Sequence, residues 1–353
     1  MRSPARVVAL LCGIALVEAY PLVSQPITGP PKVAEAPIPG ALQELLILHF
    51  DFAPANIQTV RRGDYAVKIL DGADSSELIA MGVLRIDATP TTILEALRQA
   101  TLPPFAGMDF QAALFSRTPA LSDLKDLTLA PDVIAGIASC KAGDCIFKLP
   151  AADMARFRNQ ISWKAPDAGA QANTIFRELL LQYLVAYQKG GGQALPRIDD
   201  KKEQLNLEAV FQGLLARSLL RDLDLGLSTY LDDFPTSNQT GIESTFFWSR
   251  KKLGPRYVAS LHHRGLRVEN GPEGWSFVAT RRIYANHFFQ AGLDLAVVIP
   301  REDGGSYLLR VDHARVDALT GVAKLGRGKL KQTVREGLAA ELEAIRAALM
   351  TGR

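Results

Sequence analysis

The chain has 353 residues, 48% of them hydrophobic and 22% charged, with 28 glycines and 20 prolines. These values are typical of a globular protein with one large or two medium domains, and they exclude collagen, coiled-coil rods, intrinsic disorder and multi-span membrane proteins. The net charge of +3 is too small to predict nucleic acid as a partner.

The first 40 residues have the pattern of an export signal followed by a tether. Two arginines among residues 1–6 precede an apolar run over residues 7–16, and Ala19 is the small residue that a signal peptidase requires. Glu18 interrupts the run before it reaches the roughly 20 apolar residues of a membrane anchor. Six prolines between residues 20 and 40 predict an extended tether. We therefore expect a signal peptide over residues 1–19 and an exported protein, periplasmic or secreted.

Removal of the signal peptide would leave two cysteines, Cys140 and Cys145. An even pair in an exported chain predicts a disulfide bond. The four residues between them include Gly143 and Asp144, which favour a turn. A redox centre would more typically have the Cys-x-x-Cys spacing, and a zinc site would need further ligands nearby. The interpretation is a structural disulfide and no metal site.

The predicted domain begins with two strands and a helix. Residues 65–70 and 78–88 have the composition of strands, and residues 71–74 between them that of a hairpin turn. Thr89 and Pro90 then predict the start of a helix whose apolar face holds Ile93, Leu94 and Leu97.

Helices are predicted in the middle of the chain. Residues 151–161 have the pattern of a short helix. From Ala172 to Tyr187 the apolar residues recur at the three-to-four spacing of a long amphipathic helix, which glycines 190–192 end. Asn206 can cap a second helix directly after it.

The pattern changes to five β-rich runs from Thr245 onward. Turns rich in glycine and proline separate these runs, which predicts an antiparallel meander; the runs are residues 245–249, 256–263, 275–282, 293–299 and 306–316. A long amphipathic helix is predicted from about Lys329, with a continuous apolar stripe from Leu330 to Leu349. That stripe must be buried, and the sheet offers the surface for it.

The order of these elements resembles the START-like helix-grip fold: a strand, a helix that begins at Thr89 and Pro90, a curled meander and a C-terminal helix. The resemblance implies an α+β fold in which a curved antiparallel sheet packs on the long C-terminal helix. We expect one such domain over residues 41–353, with a helical insertion at about residues 102–233. The segments 230–235, 246–249 and 283–289 also resemble a group of exported bacterial proteins without an assigned activity.

The START-like resemblance implies a cavity between the sheet and the C-terminal helix that holds a lipid or another apolar small molecule. Aromatic residues concentrate in the predicted meander, and large apolar side chains line pockets of this kind. The candidate ligand-binding residues are Leu338 and the aromatic residues Phe247, Trp248, Tyr257, Phe277, Tyr284 and Phe288. The alternative is a solid core, because aromatic side chains fill cores as well.

Motifs of common enzymes are absent from the sequence, which has no Gly-x-Ser-x-Gly, His-Glu-x-x-His or Gly-x-Gly-x-x-Gly segment and no calcium loop. No cofactor is therefore predicted. The candidate catalytic residues are His287, His262 and Asp294, because a histidine beside a carboxylate can act as a general base. Most histidines are instead solvated or hydrogen-bonded within a core.

Basic residues concentrate in the last third of the chain. Residues 245–353 contain 18 basic and 10 acidic residues. Four of the basic residues, Lys324, Arg327, Lys329 and Lys331, surround the start of the last helix, where the helix dipole disfavours cations. This placement predicts contact with an anionic membrane surface, and the alternative is a solvated basic turn.

Three functions are consistent with the sequence. The leading hypothesis is an exported protein that holds a lipid or other apolar small molecule and shuttles it at the cell envelope. The second is a cavity hydrolase or cyclase-like enzyme that uses His287 with a nearby carboxylate. The third is a non-catalytic interaction module of the envelope, which a solid interior would favour.

Overall fold

One antiparallel sheet of eight strands organises the part of the chain that the structure describes. The structure is a computed structural model, and it describes residues 35, 37–99, 110–253, 256–268, 274–317 and 326–350. The predicted signal peptide, most of the predicted tether and Lys324 lie outside the described residues. The strands are β1 Tyr65–Asp71, β2 Glu77–Ile86, β3 Phe110–Leu114, β4 Ile242–Leu253, β5 Arg256–Arg267, β6 Ser276–Ala285, β7 Phe289–Pro300 and β8 Ser306–Val316.

The strand order is β1-β2-β8-β7-β6-β5-β4-β3. Strands β4 to β8 form the predicted meander, and the predicted β1–β2 hairpin extends it by pairing β2 with β8. Strands β4 to β7 are longer than their predicted runs, because polar residues at the strand ends also pair across the ladder; Glu243, for example, lies opposite Leu266. Strand β8 has the predicted bounds.

Ten α-helices surround this sheet in the described ranges. They are α1 Gly40–Leu48, α2 Pro54–Arg61, α3 Pro90–Arg98, α4 Pro131–Ala138, α5 Ala151–Gln160, α6 Ala168–Gly190, α7 Leu207–Leu215, α8 Leu219–Leu223, α9 Leu225–Asp233 and α10 Arg327–Met350. Six of them, α4 to α9, lie between β3 and β4 and form the predicted helical insertion. Among the described helices, none has the length and apolarity needed to cross a membrane.

Helix α3 begins where the sequence predicts. The Thr89 hydroxyl accepts a hydrogen bond from the Thr92 N–H at 3.2 Å, and Pro90 occupies the first helical turn. Both features satisfy the start of a helix, where backbone N–H groups have no intrahelical partner. The helix buries Ile93, Leu94 and Leu97, so it packs its predicted apolar face.

Helix α10 packs on one face of the sheet. Its side chains Leu338, Leu342 and Ile345 are buried in one cluster with residues of β2, β6, β7 and β8. The helix can approach β2 closely because Gly82 has no side chain; a Cβ there would lie 2.7 Å from Leu342 Cδ1. The predicted α+β fold, an antiparallel sheet packed on a long C-terminal helix, is confirmed.

The opposite face of the sheet is covered as well. Side chains of β6 and β7, such as Phe277, Leu295 and Val297, form a second cluster with residues of α1, α2, α7, α8 and α9. The rest of the insertion, α4 to α6, has a core of its own that includes Trp248 and Tyr284 from the sheet. The apolar residues of the meander are therefore divided between two faces.

The insertion contains the predicted disulfide bond. Cys140 and Cys145 are bonded, with their Cα atoms 4.6 Å apart, and the turn between them is paired from Lys141 to Asp144. This prediction is confirmed.

Candidate functional site

A cavity of about 120 Å³ lies between the sheet, α3 and α10. This is the position that the START-like resemblance implies. Part of its wall is apolar, formed by Ala96, Leu97, Phe110, Phe247, Val278 and Ile345. The rest is polar and strongly charged, formed by Ser249, Lys251, Ser260, His262, Arg264, Thr280, Arg282, Asp294, Arg310 and Glu341.

Strand alternation places the charged groups inside. Side chains two residues apart share a face of a sheet, so His262 and Arg264 of β5 both face the cavity, as do Thr280 and Arg282 of β6. His262 lies opposite Arg282 in the β5–β6 ladder. The intervening residues of these strands face the opposite side of the sheet.

Arg282 is a buried cation of this wall without a close carboxylate partner among the described residues. Its side chain is 7% exposed, and the nearest carboxylate oxygen, Asp294 Oδ2, is 3.9 Å from Nη2. That separation is too long for a hydrogen bond. Within the described residues, Nε and Nη1 have no hydrogen-bond partner. The guanidinium lies over the Phe289 ring, 3.9 Å from its centroid, so its plane is held by an aromatic face.

Arg310 and Glu341 form an ion pair across the cavity, with 3.1 Å between Nη2 and Oε1. Glu341 projects from α10 and is 3% exposed. Burial raises the pKa of Glu341 to about 8, although Arg310 acts in the opposite direction. Burial and the neighbouring Asp294 raise the pKa of Asp312 above its ordinary value. These carboxyl groups therefore accept protons more readily than they would in water.

Arg264 connects β5 to α3. Its Nη1 donates hydrogen bonds to the carbonyl oxygens of Leu97 and Arg98, at the end of α3 where the helix dipole favours a cation. The guanidinium also lies 4.6 Å from the Phe247 ring centroid. Burial, together with Arg310, lowers the pKa of Arg264 to about 10. Arg264 therefore holds α3 in place.

His262 and Ser249 form a pair within hydrogen-bond distance inside the cavity wall. His262 Nε2 lies 2.8 Å from Ser249 Oγ, and the imidazole stacks on Phe247 with 4.5 Å between the ring centroids. Burial and then Arg282 lower the pKa of His262 well below its ordinary value. Among the described residues, His262 Nδ1 has no hydrogen-bond partner. The third group of a catalytic triad, which would orient the base, is therefore not seen there.

His287 lies away from the cavity. Its Nδ1 is 2.6 Å from the carbonyl oxygen of Ile146, and its ring contacts Phe147 of the insertion. Burial lowers the pKa of His287 to about 4. Asp294 and His262 line the cavity, so the structure brings together two of the three candidate catalytic residues but not His287.

Of the predicted ligand-binding residues, Phe247 lines the cavity. Trp248 donates its Nε1–H to the Asp123 carbonyl oxygen at 2.7 Å, and Tyr284 donates its hydroxyl to the Lys148 carbonyl oxygen at 2.6 Å. Tyr257 lies under the Arg250 guanidinium, 3.8 Å from its ring centroid. Trp248, Tyr284 and Tyr257 thus pack with the insertion core.

Three other predicted residues also lie outside the cavity lining. Phe277 is buried on the opposite face of the sheet, because it is one residue away from Val278, which faces the cavity, and neighbouring residues of a strand point to opposite faces. Phe288 is half-buried between β6 and β7 with a positive φ of 61°. Leu338 packs in the same cluster as α3 and β2, beside the cavity rather than in its wall.

The basic residues at the start of α10 are partly occupied within the protein. Lys331 Nζ lies 2.7 Å from an oxygen of Asp71, and Arg327 also pairs with this carboxylate. Hydrogen bonds from Lys331, then from Arg327, outweigh burial and hold the pKa of Asp71 below its ordinary value. Lys329 is exposed. Contact of this cluster with a membrane stays a prediction.

Sequence reasoning missed the charged wall, although two signals were present. The first is a run of three polar residues in each of two neighbouring strands, His262–Arg264 in β5 and Thr280–Arg282 in β6; consecutive strand residues point to opposite faces, so each run places polar side chains on both faces of the sheet. The second signal is Glu341, which interrupts the apolar stripe of α10 next to Leu342. A carboxylate in a buried stripe requires a partner, and that partner is Arg310.

Comparisons with known proteins give no family assignment. No family model matches the chain, and no curated protein matches it. Among solved structures, the chain is similar to the fragment 25–204 of a STAR-related lipid transfer protein from Xanthomonas axonopodis, with 11% identity over 81% of this chain and 93% of that one and a TM-score of 0.36. It is also similar to a protein from Thermus thermophilus, with 14% identity over 41% of this chain and 90% of that one and a TM-score of 0.25.

The first of these structures is a STAR-related lipid transfer protein, and the order of elements in this chain resembles the START-like fold. Both TM-scores are below 0.5, so the fold stated above rests on the sheet and helices of this chain, and neither similarity bears on its ligand.

Proposed function

We propose that this protein binds a small amphipathic molecule, a lipid or another compound with one apolar and one polar end, in the cavity between the sheet, α3 and α10. The observation that supports the proposal is the division of the cavity wall. Leu97, Phe247 and Ile345 offer apolar surface, whereas Arg282 and His262 belong to the polar part of the same wall. Binding pockets commonly combine an apolar lining with a few such polar groups.

The cavity volume limits what enters without movement. About 120 Å³ is somewhat less than the cavity of about 150 Å³ that holds one benzene ring. A drug-sized ligand needs about 300 Å³ or more. The described conformation therefore accepts an aromatic ring, a short chain or the head of a lipid, and a whole lipid requires α3 or α10 to move outward.

We further propose that the protein is exported and carries its ligand at the cell envelope. The supporting observations are the signal-like pattern of residues 1–19 and the Cys140–Cys145 disulfide bond, since such bonds persist mainly in oxidising compartments. N-terminal sequencing of the protein from a periplasmic or culture fraction tests this: a mature chain that begins near Tyr20 supports export, and a cytoplasmic chain that retains Met1 contradicts it.

Native mass spectrometry tests the binding function. The protein is purified without detergent, its intact mass is measured, and co-purified material is extracted and identified. A stoichiometric amphipathic ligand is expected. The matched control is Val278→Phe. Val278 lines the cavity, so the larger side chain should fill it, and this variant should show the ligand-free mass. If the protein stays ligand-free even after incubation with total membrane lipid and with small aromatic acids, the binding function is wrong.

A further inference from the structure

We propose that Arg282 binds a carboxylate group of the ligand, so that the ligand class is an amphipathic carboxylic acid. This inference rests on the proposed binding function, which it makes more specific. An arginine that is nine-tenths buried carries a high cost unless its donors are satisfied. Nε and Nη1 of Arg282 have no partner among the described residues but are covered by the surrounding atoms. The side chain forms part of the cavity wall, and its remaining nitrogen, Nη2, has its nearest carboxylate oxygen 3.9 Å away. Water can occupy the space beside Nη2 in the free protein, and a ligand oxyanion can replace it.

The other arginines of the wall each have a close polar partner for a terminal nitrogen, although Nε of each has none among the described residues. Arg264 donates to the carbonyl oxygens at the end of α3, and Arg310 pairs with Glu341 at 3.1 Å. Arg282 has a carboxylate only at 3.9 Å. A new oxyanion therefore gains most at Arg282, because a charge-assisted hydrogen bond can form there without breaking one.

The strand opposite Arg282 is shaped to hold the guanidinium. Gly292 of β7 lies beside it, and a Cβ at this position would be 2.4 Å from Arg282 Nη1. Phe289 supports the flat face of the same group. The guanidinium is thus held in one plane, and a fixed plane is what a carboxylate needs for directional recognition.

The charge balance of the cavity favours an added anion. Four cationic side chains, Lys251, Arg264, Arg282 and Arg310, face three acidic ones, Asp294, Asp312 and Glu341. Burial raises the pKa of Glu341 and of Asp312 and lowers that of Lys251, so the three arginines are the cations that remain charged when these carboxyl groups take up protons. An anionic ligand restores the balance.

The apolar wall and the volume select the probe. Phe247 and Ile345 offer surface for a ring, and the cavity is close in size to one that holds benzene. Benzoate therefore represents the proposed class, and benzyl alcohol and benzylamine are neutral and cationic counterparts of similar shape. Phenyl phosphate distinguishes a carboxylate site from a phosphate site.

Isothermal titration calorimetry with these four probes tests the inference on the wild-type protein and two variants, Arg282→Met and Gly292→Ala. Benzoate is expected to bind more tightly than the other three. Arg282→Met should weaken benzoate by roughly 10- to 100-fold, the range for loss of hydrogen bonds to a charged group, and should leave benzyl alcohol nearly unchanged. Gly292→Ala keeps the charge but displaces the guanidinium, and should also weaken benzoate.

Arg310→Gln is the matched control, because it removes a cavity cation that already has a partner; benzoate affinity should change less than threefold. Equal losses in Arg310→Gln and Arg282→Met would overturn the assignment to Arg282 in favour of cavity charge in general. Tighter binding of phenyl phosphate than of benzoate would show that Arg282 recognises a phosphate group, and the proposed carboxylate class would be wrong. If benzyl alcohol binds as well as benzoate in every variant, the cavity binds ligands but the anion site is wrong. If no probe binds, both proposals fail.

Discussion

The packing of α10 on β2 can be tested with Leu342→Ala. Leu342 is fully buried, and it lies over Gly82, where a Cβ would be 2.7 Å from its Cδ1 atom. Removal of a buried leucine side chain costs about 2.7–5 kcal/mol, and the cost rises when the surroundings cannot close the space. Because Gly82 has no side chain to move into the gap, we expect a loss of about 3–5 kcal/mol.

Urea unfolding followed by circular dichroism measures this loss as a lower midpoint with an unchanged slope. Leu48→Ala is the control, because Leu48 is 70% exposed at the end of α1 and surface substitutions stay within about 0.5 kcal/mol. A loss below about 1 kcal/mol for Leu342→Ala, similar to the control, would refute the packing of α10 on the sheet.

Two further changes test the buried carboxyl group and the disulfide bond. The pKa of Glu341 is raised from 4.5 to about 8 in the folded chain, so the folded state holds a proton that the unfolded state releases, and stability should fall as the pH rises from about 4.5 to about 8. Glu341→Gln removes the titrating group and should flatten this fall in thermal unfolding between pH 4.5 and pH 8; an unchanged pH profile would contradict the assignment. Replacement of Cys140 and Cys145 by serine should cost about 2 kcal/mol, the value for a loop this short, and reducing agent should destabilise the wild type but not the double variant; equal effects on both would contradict this expectation.

Much of the fold was predictable because its signals are local. The hairpin turn before β2, the Thr89 cap of α3 and the apolar stripe of α10 each occupy a few consecutive residues, and each lies where the sequence predicts it. The short strand β3 was not predicted, because Phe110–Leu114 pairs only with β4 at the edge of the sheet and its five residues lack clear alternation.

The site was harder to predict because both faces of the sheet are covered. When one face is solvated, aromatic residues mark the buried side; here Phe277 and Trp248 belong to cores formed with the insertion. Phe247 alone of the predicted aromatic residues belongs to the described cavity wall. Which face holds the cavity depends on long-range packing of α3 and α10, and this information is absent from the local pattern of β4 and β6.

The charged wall changes the expected chemistry of the ligand. A cavity lined by aromatic side chains would favour a wholly apolar compound. The described wall instead places Arg282, Arg310 and Glu341 next to Phe247 and Ile345, which favours a ligand with a polar end. The predicted aromatic lining rested on composition and did not use the alternation of side chains along the strands; Phe247 is the aromatic residue of that set in the described wall, and the nature of the ligand stays a prediction.

Methyl NMR of the protein during a benzoate titration tests the central claim most directly. Labelled methyl groups of Leu97, Val278 and Ile345 line the cavity, whereas those of Leu295 and Val297 lie on the opposite face of the sheet. The account predicts saturable shifts in the first three groups and little change in the other two. Shifts confined to the opposite face, or no shifts at all, would contradict a ligand site between the sheet, α3 and α10.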